Sequence, residues 1–199
     1  MNNGIPGPVS WTSGGLALEE FASCLIEKAV RPRHRPHEYR QIRRRAYDSR
    51  VSGAFLAGEN WNIDHVVVGP GGIFAIETKT KSKRKAPPGV KEHEVGYDGV
   101  ILEFPWGQNR DFVEQARRNA KGLSGFLGKA TGNKVWVNPV LVLPGWYVAP
   151  ASPPQTPEVR AMPETALVKY LRGQPPSLSD QQIEQIAFQI DQKCRDVSF

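Results

Sequence analysis

The segment WNIDHVVVGPGGIFAIETK, residues 61–79, decides the fold of this chain. It contains two short apolar runs, residues 63–68 and 73–79, which are separated by the turn-forming sequence GPGG. β-Branched residues are concentrated in the first run, and a linker rich in glycine and proline between two such runs is typical of a β-hairpin. The sequence therefore predicts two antiparallel strands joined at residues 69–72.

Charged residues interrupt the apolar pattern of this predicted hairpin. Because side chains alternate along a strand, Glu77 and Lys79 share one face with Ile73 and Ala75. Burying a charge is costly unless the charge is paired or binds a metal. The first strand contributes Asp64, which hairpin pairing can bring close to Glu77. Two converging carboxylates form a site of hard oxygen ligands, which suits Mg²⁺ or Mn²⁺. A neighbouring lysine would hold the attacking water and offset charge that builds on a phosphate.

The spacing of these residues resembles the signature of a known superfamily. Asp64, followed after twelve residues by Glu77-Thr78-Lys79, has the D-x(n)-E-x-K form of the PD-(D/E)XK nucleases. More narrowly, residues 62–79 closely resemble the core of the nuclease-related domain (NERD) family, and the resemblance extends from about residue 14 to the C-terminus. It implies an α/β restriction-endonuclease-like core, with a mixed central β-sheet flanked by helices. It also implies Mg²⁺-dependent hydrolysis of DNA phosphodiester bonds, with an endonuclease expected.

The resemblance adds one residue from each of two predicted helices. The family has an upstream helix that bears a glutamate, and residues 16–30 form an amphipathic helix with adjacent Glu19 and Glu20. Glu19 lies at the edge of the apolar stripe whereas Glu20 points away from it, so Glu19 is the better candidate, although spacing alone leaves both open. The family also has a downstream Gln-Ala motif, which implies that Gln115 orients Lys79, water or substrate. The candidate catalytic set is Glu19, Asp64, Glu77, Lys79 and Gln115, with Asp64 and Glu77 as metal ligands.

Two basic clusters flank the predicted site. The chain carries a formal net charge of +6, residues 28–50 are rich in arginine, and five cationic residues follow within 79–85. Phosphate contacts supply most non-specific affinity for nucleic acid, so we expect DNA as the partner, with RNA as an alternative. The competing interpretation is that these residues are solvated surface charges. The expected DNA contacts are Arg43, Arg44, Arg45, Lys81, Lys83, Arg84 and Lys85.

The remaining elements follow from periodicity and from turn residues. The order of helices and strands indicates an α/β layer fold with a mixed sheet. We expect an N-terminal arm over residues 1–13 and a single domain over residues 14–199. An interruption at Pro139 predicts a bulge or a sheet edge in one strand. The predicted elements are helices at 109–127, 163–171 and 179–194, a hairpin at 97–102, strands at 39–46, 51–56 and 135–143, and loops at 80–92 and 149–157.

Several classes of protein are disfavoured by the sequence. No stretch approaches the roughly 20 apolar residues of a membrane span, and the first residues lack the pattern of a signal peptide. Cys24 and Cys194 have no CxxC partner, which disfavours a zinc site or a disulfide framework. A cytoplasmic location is the simplest expectation. Many enzymes of this fold pair to cut both strands, so a homodimer is compatible with the sequence, although no interface is indicated.

Three alternatives to catalysis stay open at this stage. The Asp64, Glu77 and Lys79 pattern is also compatible with a simple salt bridge at the end of a strand. A non-catalytic nucleic-acid-binding module would use the basic clusters, but it has no need of carboxylates that repel phosphate. A nuclease-fold protein that acts through a protein partner would use the same clusters as docking surfaces.

Overall fold

The computed structural model describes residues 50–52, 56–57, 61–149 and 156–195. The helix predicted at 16–30 and the strand predicted at 39–46 lie outside these residues, as does most of the loop predicted at 149–157. Within the described part of the chain, none of the helices has the length and apolar character that crossing a membrane requires.

The described residues form eleven strands and three helices. The strands are β1 (Arg50–Ser52), β2 (Leu56–Ala57), β3 (Asn62–Ile63), β4 (His65–Gly69), β5 (Gly72–Thr78), β6 (Glu94–Tyr97), β7 (Leu102–Phe104), β8 (Gly107–Asn109), β9 (Asn138–Val142), β10 (Tyr147–Ala149) and β11 (Arg160–Met162). The helices are α1 (Asp111–Thr131), α2 (Glu164–Arg172) and α3 (Asp180–Arg195). Together they form a mixed α/β architecture with a restriction-endonuclease-like core.

The central sheet has the strand order β1-β4-β5-β9-β11 and contains both antiparallel and parallel pairs. Its β4–β5 pair confirms the hairpin predicted from residues 61–79, since the two strands are antiparallel and Gly69 lies opposite Gly72. Gly72 has φ of 123°, a conformation that glycine adopts without steric cost. The segment before α3 holds this turn by two hydrogen bonds. The carbonyl of Pro70 accepts the backbone N–H groups of Ser177 at 2.7 Å and Leu178 at 3.2 Å.

The strand predicted at 135–143 is confirmed as β9, but its predicted position at a sheet edge is wrong. β9 lies between β5 and β11, and its continuous register with β5 shows no bulge. Pro139 is tolerated because pairing with β11 begins only at Val140. At Pro139, β9 therefore pairs only with β5, and the missing N–H removes no hydrogen bond to β11.

A second sheet, β10-β6-β7-β8, lies beside α1. Its β6–β7 pair confirms the predicted hairpin, with Tyr97 opposite Leu102. The carboxylate of Asp98 holds the connecting loop by accepting the backbone N–H groups of Val100 at 2.7 Å and Ile101 at 2.6 Å. Gly99 in the same loop has φ of 97°. The segment predicted as a loop at 80–92 contains neither helix nor strand.

The core confirms the alternation predicted for β5. Ile73 and Ala75 pack in one cluster with residues of α1 and α3. Phe74 and Ile76 pack on the opposite face of the sheet with Leu167 of α2. Because Glu77 follows the parity of Ile73 and Ala75, its side chain faces α1. This alternation brings the charged end of β5 against a helix.

The three helices lie close to their predicted positions. α2 and α3 match the predictions to within one residue at each end. α1 begins two residues later than predicted and ends four residues later, where Gly132 adopts φ of 69°. Its buried stripe contains Val113, whereas the neighbouring Phe112 is only half-buried.

Candidate active site

Glu77 is the centre of the site. Its side chain is 3% exposed, and three side chains donate to its two oxygens. The Nζ of Lys79 lies 2.6 Å from Oε1, and the Nε2 of Gln115 donates to the same oxygen at 2.8 Å. The Nδ2 of Asn119 donates to Oε2 at 2.9 Å. The buried carboxylate is therefore hydrogen-bonded at both oxygens, as a buried charge requires.

Local geometry brings these four side chains together. Glu77 and Lys79 share one face because they are two residues apart at the end of an extended strand. Gln115 and Asn119 are four residues apart on α1, so they lie on the same helix face, one turn above the other. The strand end and this face of the helix meet at the carboxylate.

Asp64 lies in the bend between β3 and β4, and its side chain is half-buried. Its Oδ2 accepts the backbone N–H of Thr78 at 2.9 Å. Thr78 is the residue between Glu77 and Lys79, so this bond holds the second carboxylate at the end of β5. Asp64 is close to Glu77 as predicted, since the next residue, His65, lies opposite Ile76. The prediction that the first strand contains Asp64 is wrong, because Asp64 lies in the bend before β4.

Burial is the main electrostatic influence on Glu77. It raises the pKa of the Glu77 carboxyl above the ordinary value, because it disfavours the charged form. The hydrogen bond from Lys79 opposes this rise in pKa, and the neighbouring charge of Asp64 adds to it. A smaller lowering of the pKa comes from the hydrogen bond of Asn119. The negative charges of Asp64 and Glu77 therefore repel each other, and the ammonium group of Lys79 stabilises the charge of Glu77.

After Glu77, two lysine side chains of the chain lie over aromatic rings. The backbone N–H of Lys79 donates to the carbonyl of Val142 at 3.0 Å, which extends the β5–β9 ladder by one residue. The Nζ of Lys81 lies 4.4 Å from the ring centroid of Phe104, within the range of a cation–π contact. The Nζ of Lys83 lies 5.8 Å from the Trp146 ring. The indole N–H of Trp146 donates to the carbonyl of Lys81 at 3.2 Å, which fixes the backbone here.

The predicted site residues fall into three groups. The structure brings Asp64, Glu77, Lys79 and Gln115 together. Lys81 lies near Lys79, since both ammonium groups lie over the ring of Phe112, whereas Lys83, Arg84 and Lys85 are exposed in the loop that follows. Glu19, its alternative Glu20, and Arg43, Arg44 and Arg45 lie outside the described residues.

Asn119 is a site residue that sequence reasoning missed. It lies among the buried residues of α1, with 2% exposure. A polar side chain in a buried stripe needs hydrogen-bond partners. Its position one turn after Gln115 was the available signal that the partner is in the same site.

The two carboxylates fit a hydrated divalent cation. Oε1 of Glu77 accepts two donors and Oε2 accepts one, and a carboxylate offers about four acceptor positions. By this count one acceptor position on Oε2 has no donor among the described residues. Mg²⁺ commonly keeps several waters and takes one or two carboxylates together with substrate phosphates. The described residues contain no cluster of three or more His, Cys, Asp or Glu side chains that could hold a metal, so such a cation would complete its shell with other oxygens.

Comparison with known proteins gives one match. The model of the nuclease-related domain (NERD) family matches residues 16–144, which is well over half of the chain. The matched range includes Asp64, Glu77, Lys79, Gln115 and Asn119. Searches of curated proteins and of solved structures gave no significant match.

Proposed function

Because this chain belongs to the nuclease-related domain (NERD) family, we propose that it is a metal-dependent endonuclease that hydrolyses DNA phosphodiester bonds. The observation that carries the proposal is the buried Glu77 carboxylate, which binds the ammonium of Lys79 at 2.6 Å beside Asp64. A carboxylate pair with an adjacent lysine provides both a cation site and a positive charge for phosphate. Mg²⁺ is the proposed cofactor, with Mn²⁺ as a substitute.

Asp64 and Glu77 would hold the metal in this proposal. The metal, when bound, would polarise a phosphoryl oxygen and lower the pKa of a bound water. Lys79 has three N–H donors, of which one binds Glu77. The other two are available to the attacking water and to a non-bridging oxygen of the scissile phosphate. Glu77 thereby positions the lysine, and the lysine stabilises the negative charge that develops on phosphate.

Gln115 has a supporting role in the proposed reaction. Its amide nitrogen donates to Glu77 at 2.8 Å, which fixes the carboxylate and the orientation of the amide. The carbonyl oxygen of the same amide is an acceptor. We assign to it the orientation of the attacking water, which requires an acceptor as well as the donor on Lys79.

The lysines after the site are the proposed contacts to the DNA backbone. Among the described residues, no carboxylate lies within ion-pair distance of Lys81 or Lys83, whereas Lys91 pairs with Glu94 at 2.7 Å. Cations without a nearby carboxylate leave a positive potential beside the site, which favours phosphate binding. Arg43, Arg44, Arg45, Arg84 and Lys85 complete the proposed contact set.

Cleavage of plasmid and linear DNA tests this function. We expect the wild type to cut both substrates with Mg²⁺ or Mn²⁺ and not with EDTA, and cutting of the closed circle would identify an endonuclease. Asp64→Ala and Lys79→Ala should each lose at least about 100-fold in rate while remaining folded. Lys91→Ala is the matched control, since Lys91 is an exposed lysine that pairs with Glu94 outside the site. DNA binding by a wild type that cuts no substrate would instead identify a binding module on a nuclease fold.

A further inference from the structure

Asn119 makes two hydrogen bonds in addition to the one that it donates to Glu77. Its Oδ1 accepts the backbone N–H of Asn62 at 3.2 Å, and its Nδ2 donates to the backbone carbonyl of the same residue. The Nδ2 also donates to Oε2 of Glu77 at 2.9 Å. One buried amide therefore binds both backbone polar groups of one residue and a carboxylate on another strand.

These contacts join the two segments that carry the carboxylates. Asn62 lies in β3, two residues before Asp64, and Glu77 lies near the end of β5. The segment before Asp64 is also held by Trp61, because its ring packs directly on Gly122 of α1, where a Cβ atom would overlap it. α1 therefore contacts the segment before Asp64 at two residues, Asn62 and Trp61. Only the contact with Asn62 is linked to Glu77, because Asn119 binds both.

We propose that Asn119 is a positioning residue that sets the place of the Asp64 carboxylate relative to Glu77. At 2% exposure, and with both ends of its amide occupied, it does not reach a substrate. Its effect passes through the Asn62 backbone to Asp64, whose Oδ2 binds the Thr78 N–H. The structural part of this inference stands on the hydrogen bonds, and its consequence for metal binding rests on the proposed function.

The test compares Asn119→Leu, which keeps the number and branching of the side-chain heavy atoms but removes the amide, with Ser124→Ala. Ser124 is a matched control because it lies on the same helix and donates a hydrogen bond to the carbonyl of Val135, away from the carboxylates. Amide hydrogen exchange of Thr78 reports on its bond to Asp64. The N–H of Lys79, bonded to Val142 at 3.0 Å, is the internal control for general unfolding.

In Asn119→Leu we expect exchange at Thr78 to become about five- to tenfold faster relative to Lys79, and in Ser124→Ala we expect no relative change. An unchanged ratio of the two exchange rates in Asn119→Leu would overturn the proposal. If this variant does not fold, Asn119→Ser, which is smaller and keeps a hydroxyl donor, serves in the same comparison. The exchange measurement needs neither metal nor DNA, so its failure is distinct from failure of the nuclease assay.

A second readout applies if the wild type binds Mn²⁺ in calorimetry. Outer partners that orient metal ligands are worth about 10–100-fold in affinity. We expect Asn119→Leu to weaken Mn²⁺ binding within that range and Ser124→Ala to leave it unchanged. Equal Mn²⁺ affinity in all three proteins would overturn the link between Asn119 and the metal site.

Discussion

Glu77 depends on Lys79 for the stability of its buried charge. Replacing Lys79 with methionine keeps an unbranched side chain but removes the 2.6 Å ion pair. We expect Lys79→Met to lower the free energy of unfolding by about 1–3 kcal/mol, because a buried carboxylate loses a charged donor. Adding Glu77→Gln should recover part of this loss, since no buried charge is then left unpaired.

Urea unfolding of the two single variants and the double variant at pH 7 measures this coupling. Residues in direct contact typically show interaction free energies of about 0.5–3 kcal/mol. The Asp111→Asn variant is a suitable control partner for Lys79→Met, because Asp111 is exposed in the first turn of α1. Additive effects of Lys79→Met and Glu77→Gln would show that the ion pair contributes nothing to the fold.

Lys81 and Lys83 give a prediction about DNA affinity that is independent of cleavage. If each lysine contacts one phosphate, each substitution to glutamine should reduce the slope of log affinity against log salt by about 1. Fluorescence anisotropy with double-stranded DNA in EDTA measures binding without hydrolysis. Lys91→Gln should leave the slope unchanged, because Lys91 is already paired with Glu94. Identical slopes for all variants would remove Lys81 and Lys83 from the proposed DNA contacts.

At the scale of elements, α1 can pack closely against Trp61 because its residue 122 is glycine. A Cβ atom at Gly122 would overlap the ring of Trp61, whereas nothing lies within 4 Å of a Cβ atom at Gly125. Alanine is favoured over glycine in a helix by about 1 kcal/mol. We therefore expect Gly125→Ala to stabilise the protein by about 0.5–1 kcal/mol, and Gly122→Ala to destabilise it by about 1–3 kcal/mol through overpacking.

Thermal unfolding of these two variants gives opposite shifts in Tm if the packing is as described. For a protein of this size, 1 kcal/mol corresponds to about 2–4 °C. The same substitution three residues apart on one helix controls for helix propensity. A rise in Tm for Gly122→Ala would mean that Trp61 does not pack against α1.

Local elements could be predicted from the sequence, because their signals lie within a few residues. The β4–β5 hairpin follows from alternation and a glycine-rich turn, and the three described helices follow from apolar periodicity and flanking turn residues. The prediction at Pro139 was wrong because a residue without an N–H usually indicates a sheet edge. Pro139 is tolerated inside the sheet because β11 begins to pair only at Val140, and this start depends on a distant segment of the chain. Asn119 was missed for a similar reason, since its partner Asn62 lies 57 residues away.

At the scale of the whole molecule, both sheets pack against α1. Residues from the second sheet, α1 and β9 share one core cluster, which includes Val95, Val113 and Leu141. A polar contact adds to this packing. The hydroxyl of Tyr97, in β6, donates to the carbonyl of Val159 at 2.7 Å, immediately before β11 of the central sheet. Tyr97 therefore connects the two sheets through a buried hydrogen bond.

Burial of Tyr97 makes stability depend on pH in the alkaline range. Burial raises the pKa of Tyr97 to about 12 from its ordinary value of 10.0. The folded protein then holds the phenolic proton more tightly than the unfolded chain does. Its contribution to stability is complete below pH 10 and is lost as the pH rises towards 12.

The Tyr97→Phe variant separates this effect from general alkaline unfolding. At pH 7 it should be less stable than the wild type by about 1 kcal/mol, because the bond to Val159 is lost. Between pH 10 and 12 the difference should shrink, since only the wild type releases the Tyr97 proton on unfolding. Urea unfolding of both proteins at several pH values measures it. Parallel stability curves would contradict the prediction, because they would mean that the Tyr97 hydroxyl titrates alike in the folded and unfolded states.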